Sequence, residues 1–523
     1  MHSQPHPCAH GPYSAFPAFP LRAAPELEDC LFLNVWAPFE PAESGNGFTR
    51  PVVVVLVGGN FVSGGSSDHE FFDGSIMAST WDQVIVVPNY RVGVLGFYTA
   101  VTANASHDAG IQDQLLALQW VNRHITKYGG DPNRVTLLGH EAGATAVGFH
   151  LLSTDSSELF ARAILLSGSP YRPLPARDGS AIGKISRELL CIRNGSDHSG
   201  EHVARCLKTK SVRALLDRQR AITLNGAVAA FSPSFAGTSL PEVLSQVAET
   251  GRFGDKGRAV ARKPKQILVG STHNEGSAYV MALLSFYGAE SERSLDIRTT
   301  SHILETYLER HGVIGTGEEI LRAYMLRYKD AYRSPVSALE RAIGDFAVNC
   351  PMKRFLQSYA VGGAAGGGDV YVYYFTHVPH FRWWPYWMGA PQMLDWLYVS
   401  GNLQKLRRAK INVTDSDARL SMTLASLVSC FAWTGKPDSC QQTPPVHWPK
   451  LIEGHWRTLV VENAASVMVN SGLPYDDACV IWDTLASQTP AGPRDGVSQQ
   501  PAKWTAASNV SQAWPHDHQV GHA

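Results

Sequence analysis

The stretch from Arg134 to Leu152 reads RVTLLGHEAGATAVGFHLL, and it decides the prediction of the fold. Its first five residues predict a buried strand, and the residues from about Ala142 onward predict a helix. Gly139 and Gly143 bound the turn between them, so the chain can turn sharply and Glu141, in the middle, projects above a sheet. Because such a turn can also simply pack a helix on a strand, the surrounding sequence has to decide its meaning.

Short β-rich runs alternate with helical stretches around this turn. That alternation predicts an α/β fold, with a mostly parallel central sheet flanked by helices. The predicted strands are Val52–Val57, Val84–Val87, Ala163–Ser167, Gln266–Ser271 and Tyr371–Phe375. The predicted helical stretches are Gly110–Thr126, most of residues 301–360, and Leu420–Trp433.

Composition excludes several classes of function. The chain has 523 residues, with 45 Lys and Arg against 46 Asp and Glu, so its formal charge is −1. A near-neutral chain argues against a nucleic-acid partner. Apolar runs such as Val52–Val57 are far shorter than the roughly 20 residues of a membrane-spanning helix. No Cys-x-x-Cys motif occurs and the histidines are scattered, so we expect neither a metal site nor a cofactor.

Several segments, taken together in order, show a resemblance. The strand–turn–helix around Glu141 matches the nucleophile elbow of α/β-hydrolases. With six further segments it resembles the type-B carboxylesterase/cholinesterase family over roughly residues 26–485, which implies the α/β-hydrolase fold. These segments are Glu28–Pro38, Gly58–Gly64, Ile111–Val121 with Tyr128–Pro132, Ala163–Pro170, Asn274–Gly276 and Trp387–Gly389.

The resemblance also implies a domain organisation. Residues 1–486 would form one carboxylesterase-type domain that lacks the family's N-terminal strands, since only 27 residues precede Glu28. Residues 487–523 are rich in Pro, Gly, Ser and Gln, and we expect them to form a disordered tail. We read the lack of a signal peptide in Met1–His10 as truncation of this sequence.

The family's catalytic triad of Ser, Glu and His is incomplete at the matching positions. The acid position is Glu275 and is retained, but the nucleophile position is Glu141 and the base position falls on Gln392. A Gln amide cannot remove a proton from a nucleophile. A carboxylate is also a poor nucleophile toward esters. We therefore predict that no catalytic residue is functional.

The resemblance places the oxyanion-hole donors on the backbone N–H groups of Gly59, Asn60 and Ala142. Asn60 departs from the family's third glycine, which puts the shape of that turn in doubt. Preorganised N–H donors favour an anion. One hypothesis is that Glu141 folds its carboxylate into this hole and Gln392 donates a hydrogen bond toward it; the alternative is that Glu141 faces a solvated gorge.

The cysteines and sequons indicate an extracellular or cell-surface setting. By resemblance, the disulfides would be Cys8–Cys30, Cys191–Cys206 and Cys350–Cys479, which leaves Cys430 and Cys440 paired with each other or free. Candidate glycosylation sites are Asn104, Asn194, Asn412 and Asn509.

The resemblance implies recognition in place of catalysis. Inactive members such as neuroligins, neurotactin, gliotactin and glutactin are adhesion or recognition ectodomains, so we expect an extracellular protein partner. The alternatives are a degenerate carboxylesterase and a carrier that holds a small apolar ligand in its gorge. In the cholinesterase branch a Trp in the first disulfide loop holds the cationic substrate, and the matching residues 15–26 contain no Trp, which argues against choline-ester recognition.

The sequence also has an aromatic cluster, which we interpret either as packing or as a gorge wall. Its members are Trp383, Trp384, Tyr386 and Trp387.

Overall fold

The computed structural model describes most of the chain. The described residues are 6–10, 27–38, 49–66, 70–97, 108–174, 180–192, 200–224, 231–233, 265–286, 295–311, 313, 317–327, 334–361, 368–408, 410–440, 446–452, 456–463 and 466–488. The expected tail lies outside them from residue 489 onward, as do the sequons at Asn104, Asn194 and Asn509.

A nine-stranded sheet forms the centre of the described part. Its strands are β1 (Leu33–Trp36), β2 (Arg50–Leu56), β3 (Val84–Pro88), β4 (Gly130–His140), β5 (Arg162–Leu166), β6 (Gln266–Thr272), β7 (Val370–Phe375), β8 (Arg457–Asn463) and β9 (Ser466–Ser471). Their order across the sheet is β1-β3-β2-β4-β5-β6-β7-β8-β9. The pairs β1–β3 and β8–β9 are antiparallel, and all other neighbours are parallel.

Helices connect the strands. The α-helices are Ser75–Trp81, Gly93–Gly96, Ala109–His124, Ala142–Leu152, Ser180–Glu188, Gly200–Lys208, Val212–Leu224, Ser277–Phe286, Ile297–Glu309, Gly317–Arg327, Pro335–Gly344, Cys350–Val361, Leu394–Val399, Leu403–Arg408, Asp415–Thr434 and Asp476–Gln488. Short 3-10 turns occur at Glu70–Phe72, Ile125–Tyr128, Ser157–Leu159 and Tyr386–Met388, and a π-helical turn spans Asp345–Asn349. No described helix is long and apolar enough to cross a membrane.

Hydrophobic layers cover both faces of the sheet, which explains why the central strands are apolar throughout. Successive residues of β2 point to opposite sides, so Val52 and Val54 pack into one layer while Val53 and Val55 pack into the other. The fold is therefore the α/β arrangement that the sequence predicts.

The structure corrects the predicted elements mainly at the edges. The predicted strands and helices exist, but β1 and the hairpin of β8 and β9 were not predicted. The helix predicted over Gly110–Thr126 ends at His124 in a 3-10 turn. The helix predicted from Leu420 begins earlier, at Asp415, because Thr414 and Asp417 form a capping box.

All four disulfides close in the structure. The three pairs that the resemblance implies are present, and Cys430 pairs with Cys440, the alternative that the sequence left open.

Two glycines can test how closely the elbow packs. A Cβ on Gly143 would lie 2.0 Å from the Leu56 carbonyl oxygen in β2, so backbone would have to move. We expect Gly143→Ala to lower the free energy of unfolding by about 3 kcal/mol. Gly183→Ala, in the helix Ser180–Glu188, meets nothing closer than 3.4 Å and should raise it by up to about 1 kcal/mol. Urea unfolding of both variants measures this, and equal effects would contradict the packing.

Candidate functional site

Glu141 occupies the apex of a tight elbow between β4 and the helix that starts at Ala142. Its φ of 54° and ψ of −113° lie in a region of backbone conformation that residues other than Gly rarely adopt. The turn is held by a hydrogen bond from the Glu141 N–H to the Leu166 carbonyl, at 2.8 Å. A Cβ on Gly168 would lie 2.4 Å from the Glu141 carbonyl oxygen. Close packing of β4, β5 and the helix therefore fixes the direction in which the Glu141 side chain leaves the backbone.

The Glu141 carboxylate lies against the loop that resembles the oxyanion loop. Its Oε2 accepts hydrogen bonds from the N–H groups of Gly59, at 3.0 Å, and Asn60, at 2.8 Å. Only 1% of Glu141 is exposed. This is the folded-back arrangement of the sequence hypothesis, and the alternative, a carboxylate facing a solvated gorge, is wrong.

Asn60 keeps the turn despite its departure from glycine. Its φ is 54°, a left-handed value that Asn tolerates better than most side chains. Its N–H still points at Glu141, so the backbone donor is preserved. The substitution adds a side-chain amide to the site without removing a donor.

Arg172 is the residue that sequence reasoning missed. It follows β5 in the segment Pro170–Pro173, and its Nη1 donates to Glu141 Oε1 in a buried salt bridge. Its Nη2 donates to the Asn60 side-chain oxygen, and its guanidinium lies 5.8 Å from the Tyr279 ring centre. The one sequence signal available was an Arg six residues after the end of β5, in a region where the family landmarks already placed the site.

The site holds an ion pair. Burial raises the pKa of Glu141. The charge of Arg172 and the N–H groups of Asn60 and Ala142 lower it by more, so the net pKa lies below the usual value. Burial lowers the pKa of Arg172, and Glu141 and nearby tyrosines more than reverse that. Burial raises the pKa of Tyr307 to about 12, so it adds no negative charge at neutral pH.

Glu275 follows the end of β6 and is only 1% exposed. Its Oε1 accepts a hydrogen bond from the Thr272 N–H at 2.6 Å. Burial, together with the charge of Asp395, raises the pKa of Glu275 to about 8, although the hydrogen bond from the Thr272 N–H opposes the rise. At neutral pH this carboxyl is mostly protonated.

Gln392 does not make the expected contact. Its Nε2 donates to the Ser167 carbonyl, at 3.4 Å, and not to Glu141. The predicted hydrogen bond from Gln392 to Glu141 is absent. Arg172 donates to Oε1 of Glu141 instead, and the Gln392 amide donates to the Ser167 carbonyl. Gln392 is therefore bound to the residue that follows β5 and not to the elbow.

His140 and Asp395 are also buried and lie close to each other. His140 Nε2 lies 4.0 Å from Asp395 Oδ1, and Asp395 Oδ2 accepts a hydrogen bond from the Tyr373 hydroxyl at 2.6 Å. Burial lowers the pKa of His140 to about 4, so its imidazole is neutral. Among the described residues, no group of three or more His, Cys, Asp and Glu side chains could hold a metal ion.

The aromatic cluster divides between packing and surface. Trp384 is buried, and its Nε1 donates to the Gly389 carbonyl at 3.0 Å. Trp383 is 40% exposed and Tyr386 is 77% exposed, with the Arg382 guanidinium 3.9 Å from the Tyr386 ring centre. These last three side chains form a surface patch, which we call the aromatic patch.

Comparisons with known proteins agree with this architecture. The profile of the carboxylesterase family matches residues 3–473. The acetylcholinesterase of Bungarus fasciatus is 29% identical over 451 residues, which cover 85% of this chain and 69% of that protein. The acetylcholinesterases of Danio rerio and Electrophorus electricus are each 30% identical, over 87% of this chain and 74% of their own length.

The protonated state of Glu275 has a measurable consequence. Between the usual pKa of 4.5 and about 8, the native protein keeps a proton that the unfolded chain has released. The free energy of unfolding therefore falls as pH rises through this window, with a slope of up to about 1.4 kcal/mol per pH unit from this group. We expect Glu275→Gln to remove that contribution, which urea unfolding at a series of pH values measures.

The control is Ser277→Ala, which removes a buried hydroxyl that does not titrate in this range. It should lower stability by a similar amount at every pH. An unchanged slope in Glu275→Gln would contradict a protonated Glu275.

Proposed function

The chain belongs to the carboxylesterase family, and we propose that it is a non-catalytic, cholinesterase-like member acting in extracellular recognition or cell adhesion. The observation that carries the loss of catalysis is the Glu141 carboxylate seated on the Gly59 and Asn60 N–H groups. In an acyl transfer those donors would stabilise the oxyanion of the tetrahedral intermediate. Here they already hold an anion.

A bound ester would meet unfavourable electrostatics at this site. The oxyanion of the reaction would compete with the Glu141 carboxylate for the same N–H donors, and the Arg172 charge that could stabilise it is already neutralised by Glu141. The Glu141 carboxylate has its two oxygens engaged by Gly59, Asn60 and Arg172, so it is poorly placed to attack. The elbow therefore supplies neither a nucleophile nor an open hole.

The remaining triad positions do not compensate. The Gln392 amide is not basic enough to accept a proton from a nucleophile, and its Nε2 donates to the Ser167 carbonyl. Glu275, raised to a pKa of about 8, does not supply a full carboxylate charge at neutral pH to orient a base. His140 is buried in β4 behind Glu141, with its pKa lowered to about 4, which makes it a weak base.

A degenerate ester hydrolase is the second candidate, favoured by the relatives that bear the name acetylcholinesterase. The two candidates differ in one measurement. We expect no stoichiometric labelling of the purified protein by a fluorophosphonate probe, and no saturable hydrolysis of an activated ester. An acetylcholinesterase relative treated in parallel is the positive control. Labelling or saturable turnover would overturn the proposal.

Two variants refine this test. Glu141→Ser restores a hydroxyl but leaves Gln392 unable to take its proton, so we expect it to remain unlabelled. Glu141→Ser combined with Gln392→His restores both residue types. Activity in the double variant but not in the single one would show that the missing base, as well as the missing nucleophile, accounts for the loss.

The recognition half of the proposal is supported by the molecular surface. The aromatic patch exposes Trp383 and Tyr386 beside Arg382, and these three residue types dominate the energetic centres of protein interfaces. We propose another extracellular protein as the partner. A screen of the purified domain against secreted and cell-surface proteins tests this. Saturable retention of a small apolar probe, with no protein bound, would favour the carrier alternative instead.

An extracellular setting predicts glycosylation of Asn412. This residue is exposed, and its sequon partner Thr414 caps the helix Asp415–Thr434 by accepting a hydrogen bond from the Asp417 N–H. In secreting cells we expect Asn412→Gln to lose one glycan, seen as a mobility shift matched by enzymatic deglycosylation. Thr414→Ser is the control, because it keeps both the sequon and the cap. Unmodified Asn412 in the wild-type protein would count against this site.

A further inference from the structure

We infer that Arg172 and Asn60 make the oxyanion-loop pocket a carboxylate-binding site whose resident ligand is the Glu141 side chain. The ligand class of this site is a small carboxylate anion. The inference rests on the proposed function and deepens it, because it states what the pocket binds in place of a reacting ester.

The donors around Glu141 fit both oxygens of a carboxylate. Oε2 accepts from two backbone N–H groups, those of Gly59 and Asn60. Oε1 accepts from Arg172 Nη1 and faces the Tyr279 hydroxyl at 3.4 Å. Charge-assisted hydrogen bonds of this kind are about twice as strong as neutral ones. An oxyanion with a single charged oxygen needs only the first pair of donors, so the second pair selects for a carboxylate.

The position of Arg172 does not depend on Glu141 alone. Its Nη2 donates to the Asn60 side-chain oxygen, and its guanidinium lies over the Tyr279 ring. A glycine at position 60 would leave Nη2 without this acceptor. Asn60 therefore has two roles: its backbone N–H binds the carboxylate, and its side chain aims the arginine that binds it.

Because the Arg172 guanidinium is buried, its charge needs a carboxylate partner. The Arg172 side chain is 6% exposed, and the Glu141 side chain is 1% exposed. Removing one partner of a buried pair leaves an uncompensated charge, which destabilises a fold strongly. An external anion of the right size and charge should relieve that cost, since a ligand that binds only the native state stabilises it.

The test uses Glu141→Ala, which removes a methylene and a carboxylate, the group that acetate supplies. Alanine keeps a Cβ, so the strain at φ 54° is similar in both proteins. We expect the melting temperature of Glu141→Ala to fall below that of the wild type. It should then rise with the logarithm of acetate concentration at constant ionic strength. Acetamide and added NaCl, tested in the same way, should give no saturable rise.

Three further proteins serve as controls. The wild type and Glu141→Gln keep the pocket filled, so neither should respond to acetate. Glu275→Ala removes another buried carboxyl, 1% exposed, that accepts from a backbone N–H with no described arginine partner, so it should not respond either. Glu141→Ala combined with Arg172→Met should be more stable than Glu141→Ala alone and insensitive to acetate.

If Glu141→Ala is recovered only unfolded, refolding from denaturant replaces the melting curve. Acetate should then raise the folded yield, and acetamide should not. Lack of any acetate effect in this variant, or an equal effect in the double variant, would overturn the inference. Fluorophosphonate labelling of the wild type would instead overturn the proposed function and leave the acetate result standing, so the two failures are distinguishable.

Discussion

The buried ion pair between Glu141 and Arg172 is the interaction on which the character of this site depends. It places a negative charge at the apex of the elbow, where the side chain is 1% exposed, and neutralises it there. A buried pair is weak support for overall stability, since desolvation of both charges opposes their attraction. The pair affects ligand binding instead: while Glu141 and Arg172 are paired, neither charge is available to interact with a reacting ester.

The scaffold positions the groups that form this pair. The strands β2, β4 and β5 are parallel neighbours. The loop Gly58–Gly64, the elbow and the segment carrying Arg172 therefore follow the carboxyl ends of these strands, on the same side of the sheet. Ligands of open α/β sheets bind on that side. Gly59, Asn60 and Glu141 all have positive φ values, so the backbone donors and the side chain they receive are held in fixed directions. The Glu141 carboxylate thus occupies N–H donors that the backbone holds in place.

Local sequence patterns were sufficient for the parts of the fold that depend on local chemistry. The glycine-bounded turn located the elbow, and runs of buried apolar residues located the central strands. The strands β1, β8 and β9, at the two ends of the sheet, were missed because their apolar signal is weak: β1 has four half-buried residues, and β8 and β9 each have only three consecutive apolar residues. At the site, Glu141, Glu275 and Gln392 were named from the resemblance to the family's motifs. Arg172 was not, because its contact with Glu141 joins residues 31 positions apart through a long side chain. The Gln392 contact was wrong for the same reason, since Arg172 had taken its expected partner.

The central claim, that Glu141 is a resident anion on the oxyanion-loop donors, is tested most directly by a high-resolution crystal structure of the unliganded wild-type protein. The account predicts density for Glu141 Oε2 within hydrogen-bonding distance of the Gly59 and Asn60 N–H groups, and for Oε1 on the Arg172 guanidinium. A Glu141 carboxylate turned into the solvent, with ordered water on those N–H groups and Arg172 paired elsewhere, would contradict it.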